Sequence, residues 1–335
     1  VNGVNCWAPG PYGDLYDTGI AAVEVEAVRG QNQYRTGHAL PARQAYGTDR
    51  LPSAACQPPP SDAEGRAPMC RRVPLGCGAT NGDPHLTTFD GVHYDFQAAG
   101  EFVLTEDDRG GFQIQVRQEP LSGSTLVAVT TAAAMDVGGT TVAFGVGGTV
   151  LIGGAAVADP TTALPGGGRV AVEAGRHGPR FAVTWPDGSQ AQVNQIGSYG
   201  LLVVVQPAPD RMGHLRGLLG NFDGDRTNDI ASRSGAIVPA PPDVNTLYPG
   251  FADSWRITQA RSLFSYERGA STGTYIDRPF PTRATSIADI QNVPGARAAC
   301  RIAGVAGGPG LDDCVQDVGL TGSTAFADAI AAASP

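Results

Sequence analysis

Residues 81–106 read NGDPHLTTFDGVHYDFQAAGEFVLTE. Gly-Asp-Pro at 82–84 is turn chemistry, because glycine admits left-handed backbone and proline fixes φ and removes a donor. We read it as a rigid proline turn entering the first strand, with His85 hydrogen-bonded. EFVLTE at its end is a short apolar run of the kind that forms a strand. Further runs follow at 111–118 (GFQIQVRQ), 124–131 (STLVAVTT), 140–146 (TTVAFGV), 168–174 (GRVAVEA), 179–185 (PRFAVTW) and 200–206 (GLLVVVQ). They are separated by Gly, Pro, Asp and Asn. Short strands spaced by turn residues predict antiparallel sheets stacked as a sandwich. The 46 glycines and 26 prolines cluster between the runs and mark turns rather than disorder.

The flanks have a different texture. Residues 1–76 hold one alternating stretch, AAVEVEAV, then the loop-like LPSAACQPPPSDAEGRAPMC, and read as an irregular lead-in stapled by cysteines. Residues 77–257 are the β domain. Residues 258–335 begin irregularly, with SLFSYERGASTGTYIDRPFP, and turn alanine-rich in SIADIQNVPGARAACRIAGV, LDDCVQDVGL and STAFADAIAAA. Ser286 and Ser323 are plausible N-caps, Asp289 stands three residues after Ser286, and glycines mark the stops, so short helices are expected.

Composition excludes several functions. The chain has 335 residues, 41% of them hydrophobic, and a formal net charge of -9. Phosphate backbones need clustered basic residues, so nucleic acid is not an expected partner. No apolar run approaches the ~20 residues that span a bilayer. All 23 basic residues are arginine, which removes Schiff-base lysines and the P-loop lysine. Lysine's absence beside abundant Ala, Gly and Arg points to a GC-rich, bacterial genome. The start at Val1 suits a processed chain or an excerpt. The six cysteines, Cys6, Cys56, Cys70, Cys77, Cys300 and Cys314, include no CxxC pair, and only His85 and His93 lie near any of them. We therefore expect disulfides rather than zinc, and an oxidising, extracellular location. Cys300 and Cys314 stand on neighbouring helical segments, and closing that loop is worth about 3 kcal/mol.

The densest chemistry lies at 217–230, GLLGNFDGDRTNDI. Asn221, Asp223 and Asp225 are spaced like the start of an EF-hand. Arg226 and Ser232, however, occupy the places of its glycine and its bidentate glutamate. With Asn228 and Asp229 these oxygens suit a hard cation, while a splayed polar loop is the competing reading. GASTG at 269–273 fits GxSxG formally but lacks the flanking strand and helix, so it reads as a flexible loop.

GDPH, TFDG, YDF with EFVLTE, and then GLLGNFDGDRTND with FADSWRI stand in one order at suitable separations. Together they closely resemble the von Willebrand factor type D domain, over roughly residues 77–257. The segment CRIAGVAGGPGLDDCVQDVGLTGSTAFADA is similar, more loosely, to the small cysteine-bearing C8-like helical module that follows such domains.

The resemblance implies a mainly β, calcium-stabilised domain of extracellular adhesive, gel-forming and matrix proteins. It assigns Ca²⁺ to Asp90, Asn221, Asp223, Asn228 and Asp229, with Asp225 placed where the family often donates a backbone carbonyl. Animal members carry cysteine at the positions of Gly100 and Leu219, the second pairing near Cys77. The expected partner of Cys77 is therefore Cys6, Cys56 or Cys70. Some members cleave themselves at GDPH, where the Asp83 carboxyl attacks its own carbonyl carbon, the Pro84 nitrogen leaves and His85 assists proton transfer.

Three functions follow. The leading one is a secreted structural or adhesive module, with no catalytic residues, that binds a protein, cell-surface or matrix partner or further copies of itself. The alternatives are a self-processing domain cut between Asp83 and Pro84, and a hydrolase using the acidic loop as a carboxylate pair.

Overall fold

The computed structural model describes residues 76–159, 161–175, 178–239, 242, 244–305 and 307–333. The lead-in, with Cys6, Cys56, Cys70 and AAVEVEAV, lies outside the described residues. Three short strands open the fold: β1 (Gly78–Asn81), β2 (His85–Thr87) and β3 (His93–Asp95). The chain then builds a second sheet by simple up-and-down hairpins from β4 (Gly100–Asp107), β5 (Phe112–Pro120), β6 (Ala128–Val137), β7 (Thr140–Gly145), β8 (Thr149–Ile152) and β9 (Ala155–Ala156). It returns to the first through β10 (Thr162–Ala163), β11 (Arg169–Gly175), β12 (Gly178–Thr184), β13 (Gln190–Ile196) and β14 (Gly200–Gln206). There β14 lies antiparallel to β1. Finally β15 (Leu215–Arg216) pairs with β4. The outcome is an eight-stranded and a seven-stranded antiparallel sheet. One core joins residues of both, including Leu86, Phe102, Ile114, Met135, Val193 and Trp255.

Most strand expectations hold, on β4, β5, β7, β11, β12 and β14. Two do not match in detail. STLVAVTT covers only the start of β6, which continues through Thr130–Thr131 into an alanine run. Alanine is a weak strand former, and burial between β5 and β7 decides the outcome. The polar segment QAQVNQI is β13, paired on both sides, with Gln192 and Asn194 buried and the Gln192 amide donating to Asn194 Oδ1 at 2.9 Å. Buried polar side chains hide it from a hydrophobic pattern.

The chain ends in three helices, α1 (Val293–Ala303), α2 (Pro309–Thr321) and α3 (Ala325–Ala333). Asn292 caps α1 by accepting from the Gly295 amide. Ser286 forms a capping box with Asp289, but on the short turn Ile287–Asp289 that precedes α1. Cys300 and Cys314 are disulfide-bonded, tying α1 to α2. Cys77 is also disulfide-bonded.

The helices pack on the outer face of the first sheet. Leu201, Val203 and Val205 of β14 point into the sandwich core. Leu202 and Val204 join a second core with Cys300, Leu311, Cys314, Val315, Val318 and Phe326. A strand buried on both faces loses its alternation, which is why GLLVVVQ is apolar throughout.

Two local readings are corrected. The Gly82–Pro84 turn does not lead into the first strand but connects β1 to β2. GASTG is not a flexible loop: Ser271 caps the ordered turn Thr272–Tyr275 through a capping box, with Thr272 buried.

Candidate metal centre and the buried GDPH turn

The first sheet holds the acidic loop against a tight turn. Between β2 and β3 the Gly91 amide donates to Thr88 O at 3.0 Å and the Val92 amide to Thr88 Oγ1 at 2.8 Å. That turn sets Asp90 at its tip. The Phe89 amide donates to Leu219 O at 3.0 Å, which docks the turn on the strand end leading into the loop. Phe222 adopts φ 56°, rare for a side chain of its size, and its ring packs on Phe89 with centroids 5.7 Å apart.

Five of the six expected ligand residues converge. The Asp223 amide donates to Asp90 Oδ2 at 3.0 Å across 133 positions of sequence. Asn221 Nδ2 donates to Asp223 Oδ2 at 2.8 Å and to Asn228 Oδ1 at 2.9 Å, and Asn228 Nδ2 donates to Asp223 Oδ2 at 2.8 Å. Thr88 Oγ1 donates to Asp229 Oδ2, which also receives the loop's own amide at Asn221 through Oδ1. Gly220, at φ 79°, is required here: a Cβ would lie 2.1 Å from Asp229 Oδ1. Asp225 stands apart, exposed, accepting from the Thr227 amide at 2.9 Å and from its hydroxyl at 2.6 Å.

The electrostatics of this cluster are unfavourable without a cation. Burial pushes the Asp229 carboxyl up to about 7, the Thr88 hydrogen bond opposing and the facing Asp90 adding to the shift. Burial also raises Asp90, against the amides of Gly224 and Asp223. Two buried carboxyls facing each other beside amide oxygens from a second segment form the hard donor set that Ca²⁺ takes, so the residues present fit that ion.

GDPH is a second, separate centre. Asp83 and His85 are buried, and His85 Nε2 lies 2.6 Å from Asp83 Oδ1. This is a charge contact off the ring N–H direction, since neither atom makes an aligned hydrogen bond. His85 Nδ1 lies 2.7 Å from Asp95 Oδ1, its directly paired residue on β3. The Asp83 amide donates to Asp317 Oδ1 of α2 at 2.8 Å, and that oxygen is 3.4 Å from His85 Nε2. Burial alone would lower His85, but Asp83, Asp313 and Asp317 outweigh it and hold the imidazole well above its ordinary value. Asp317 is raised well above the usual range by burial and by Asp83, with His85 pulling it back. His93 Nε2 lies 3.0 Å from Asp313 Oδ1.

His93 is a member of this cluster, as are Asp95, Asp313 and Asp317, none of which the sequence reading singles out as a site residue. The signal was available. In HLT and HYD the polar residues alternate with Leu86 and Tyr94, and Asp313 and Asp317 stand four apart, on one helix face.

The sequence profile of the von Willebrand factor type D domain matches residues 78–236. SCO-spondin of Gallus gallus is 30% identical over 218 residues, 63% of this chain and 4% of that protein. Sushi domain-containing protein 2 of Homo sapiens is 28% identical over 278 residues, 76% of this chain and 32% of that protein. Mucin-2 of Rattus norvegicus is 27% identical over 203 residues, 56% of this chain and 12% of that protein. The chain thus spans a third or less of these relatives. No described helix is long and apolar enough to cross a membrane.

Proposed function

Taking residues 78–236 as a von Willebrand factor type D domain, we propose that this chain is an extracellular structural or adhesive module whose surface is made rigid by calcium. The observation that carries the reading is the convergence of Asp90 with Asn221, Asp223, Asn228 and Asp229. Ca²⁺ held there would supply the positive charge that lets both buried carboxyls ionise, tying the start of the domain to its end. The rigid surface then binds a protein, cell-surface or matrix partner, or another copy of the chain. Likeness to a mucin supports that class of role.

The role is not catalytic. Inverting and retaining glycosidases need carboxyls held about 5 Å or more apart, whereas Asp90 and Asp229 are close enough to share a proton. We also take the Asp83–Pro84 bond to stay intact. The Asp83 carboxyl is drawn to His85, and its amide is fixed by Asp317, which restrains it from swinging onto its own carbonyl.

One experiment addresses both points. In calcium at about a hundredfold above the dissociation constant, linkage adds about 2.7 kcal/mol to stability, so the full chain should melt at lower temperature in chelator. Its intact mass should show one unbroken polypeptide. Equal melting in both buffers overturns the calcium reading, and two fragments dividing at residue 83 replace it with the self-processing one.

A further inference from the structure

The β2–β3 hairpin turns His85, Thr87, His93 and Asp95 to one face, because His85 pairs with Asp95 and Thr87 with His93 while Leu86 and Tyr94 face the core. Helix α2 lies across that face and brings Asp313 against it. Both histidines take part with their rings stacked, centroids 6.1 Å apart and planes within 22°. Ligand atoms of His85, His93 and Asp313 all lie within 4.8 Å of one another. His93 Nε2 is 3.0 Å from Asp313 Oδ1, and His85 Nδ1 is 2.7 Å from Asp95 Oδ1 and 3.9 Å from Asp313 Oδ1. Donors at bond lengths of about 2.0–2.2 Å around a tetrahedral ion stand about 3.3 Å apart, and the distances of Asp313 Oδ1 from His93 Nε2 and His85 Nδ1, 3.0 and 3.9 Å, bracket that value.

We propose that His85, His93 and Asp313 form a three-ligand transition-metal site for a divalent ion of the zinc class, which clamps the helical segment to the first sheet. Two imidazoles with a carboxylate select such an ion over calcium, which prefers an all-oxygen shell. The site is reached through a cleft of about 380 Å³ lined by His93, Asp95, Ile290, Asp312, Asp313 and Gln316. The buried triad Asp83, His85 and Asp317 is the other set of close ligand atoms among the described residues, and all three of its members are shielded from solvent, so an ion enters more easily on the His93 side. With the metal on Nδ1, His85 keeps its proton on Nε2, facing Asp83. Loading displaces the Nδ1 proton into solvent. The site is independent of the calcium loop, since it shares no residue with Asp90 or 221–229.

The test uses the full chain, stripped with chelator and dialysed into millimolar calcium so that the acidic loop is served throughout. Zinc is then titrated calorimetrically, and bound zinc is measured after desalting. One zinc per chain is expected. His93→Ala and Asp313→Asn should each weaken binding about tenfold or more, while the exposed Glu267→Gln leaves it unchanged. His93 is about a third exposed at its side chain, and both variants are checked for wild-type melting without zinc. Failure of the wild type to retain zinc overturns the proposal. Retention by His93→Ala with wild-type affinity does so too, since it puts the ion elsewhere.

Discussion

The acidic loop and the GDPH turn are both clusters of carboxyl groups on the first sheet, yet they are assembled differently. The loop draws all but one of its ligands from nine consecutive residues, 221–229, and adds Asp90 from the β2–β3 turn. The GDPH cluster takes Asp83 and His85 from one hairpin arm, His93 and Asp95 from the next strand, and Asp313 and Asp317 from a helix more than two hundred positions away. In the loop, like charges face each other and amide oxygens fill the gaps, an arrangement that a cation from outside would relieve. In the GDPH cluster the imidazolium of His85 is already the cation, and docking of α2 completes it. The loop is thus set by neighbouring residues, whereas the GDPH cluster exists only where two layers meet.

Two glycines allow the contrast to be broken. Gly82, at φ 64°, sits where a Cβ would come 1.9 Å from Asp317 Oδ2, and Gly220 presents the same relation to Asp229. Gly82→Ala must push α2 away from the hairpin, and the apolar contact of Leu202 and Val204 with the helices loosens with it. The expected loss is about 3 kcal/mol in chemical denaturation with chelator present, at the upper end of ordinary single substitutions. Gly220→Ala displaces only a neighbouring loop side chain. It should cost less in chelator and show its main effect as weakened calcium binding. If Gly82→Ala keeps wild-type stability, the close approach of α2 does not hold the layers together.

A second effect is expected from pH and is confined to the loop. The Asp229 carboxyl is raised to about 7 in the folded chain, by burial first and then by Asp90, from an ordinary value of 3.8. Between those values the folded, calcium-free protein keeps a proton that the unfolded chain has released. Its stability is therefore lost as pH rises from about 4 to 7, at about 1.4 kcal/mol per unit for a fully expressed shift and less at this partly solvated site. Calcium removes the penalty because it replaces the proton. The gap in melting temperature between calcium and chelator should widen from pH 5 to pH 8, by an amount equivalent to about 1–2 kcal/mol. A constant gap across that range would mean that Asp229 ionises normally without the ion.

The same division explains what the sequence reveals. The strands, the turns and the Cys300–Cys314 bridge are local, each decided by neighbours a few residues away. So is the loop, whose Asn and Asp side chains are close in sequence; the fold brings four of them together. The polar strand β13 escapes because Gln192 and Asn194 are polar yet buried, held by its pairing on both sides inside a sheet. His93 carries no local signal of its partner, Asp313, 220 positions on. The all-apolar run of β14 did announce a layer on each side of that strand. Its meaning was missed because a strand and a separate helical segment were read as neighbours in sequence rather than as two sides of one packing problem.

The smallest expected effect concerns Asp225, and it decides how literally the loop's spacing should be taken. Counting alternate positions, Asn221, Asp223 and Asp225 form one series, and each has a carbonyl or carboxyl oxygen to offer. The backbone breaks the series after Asp223: Asp225 faces solvent and spends its Oδ1 on the Thr227 amide and hydroxyl, bonds that also keep its carboxyl below the ordinary range. Asp223 instead receives both asparagine amides. Asp225→Ala should therefore leave stability close to wild type, as a surface substitution does, and leave calcium affinity within a few-fold of wild type by calorimetry. Asp223→Ala should weaken calcium strongly, because it removes an oxygen from the centre of the cluster. Were the two substitutions to weaken calcium equally, Asp225 would have to leave Thr227 and swing inward when the ion binds. The loop would then be an adaptable cage closed by its ligand rather than one already set by the asparagine hydrogen bonds.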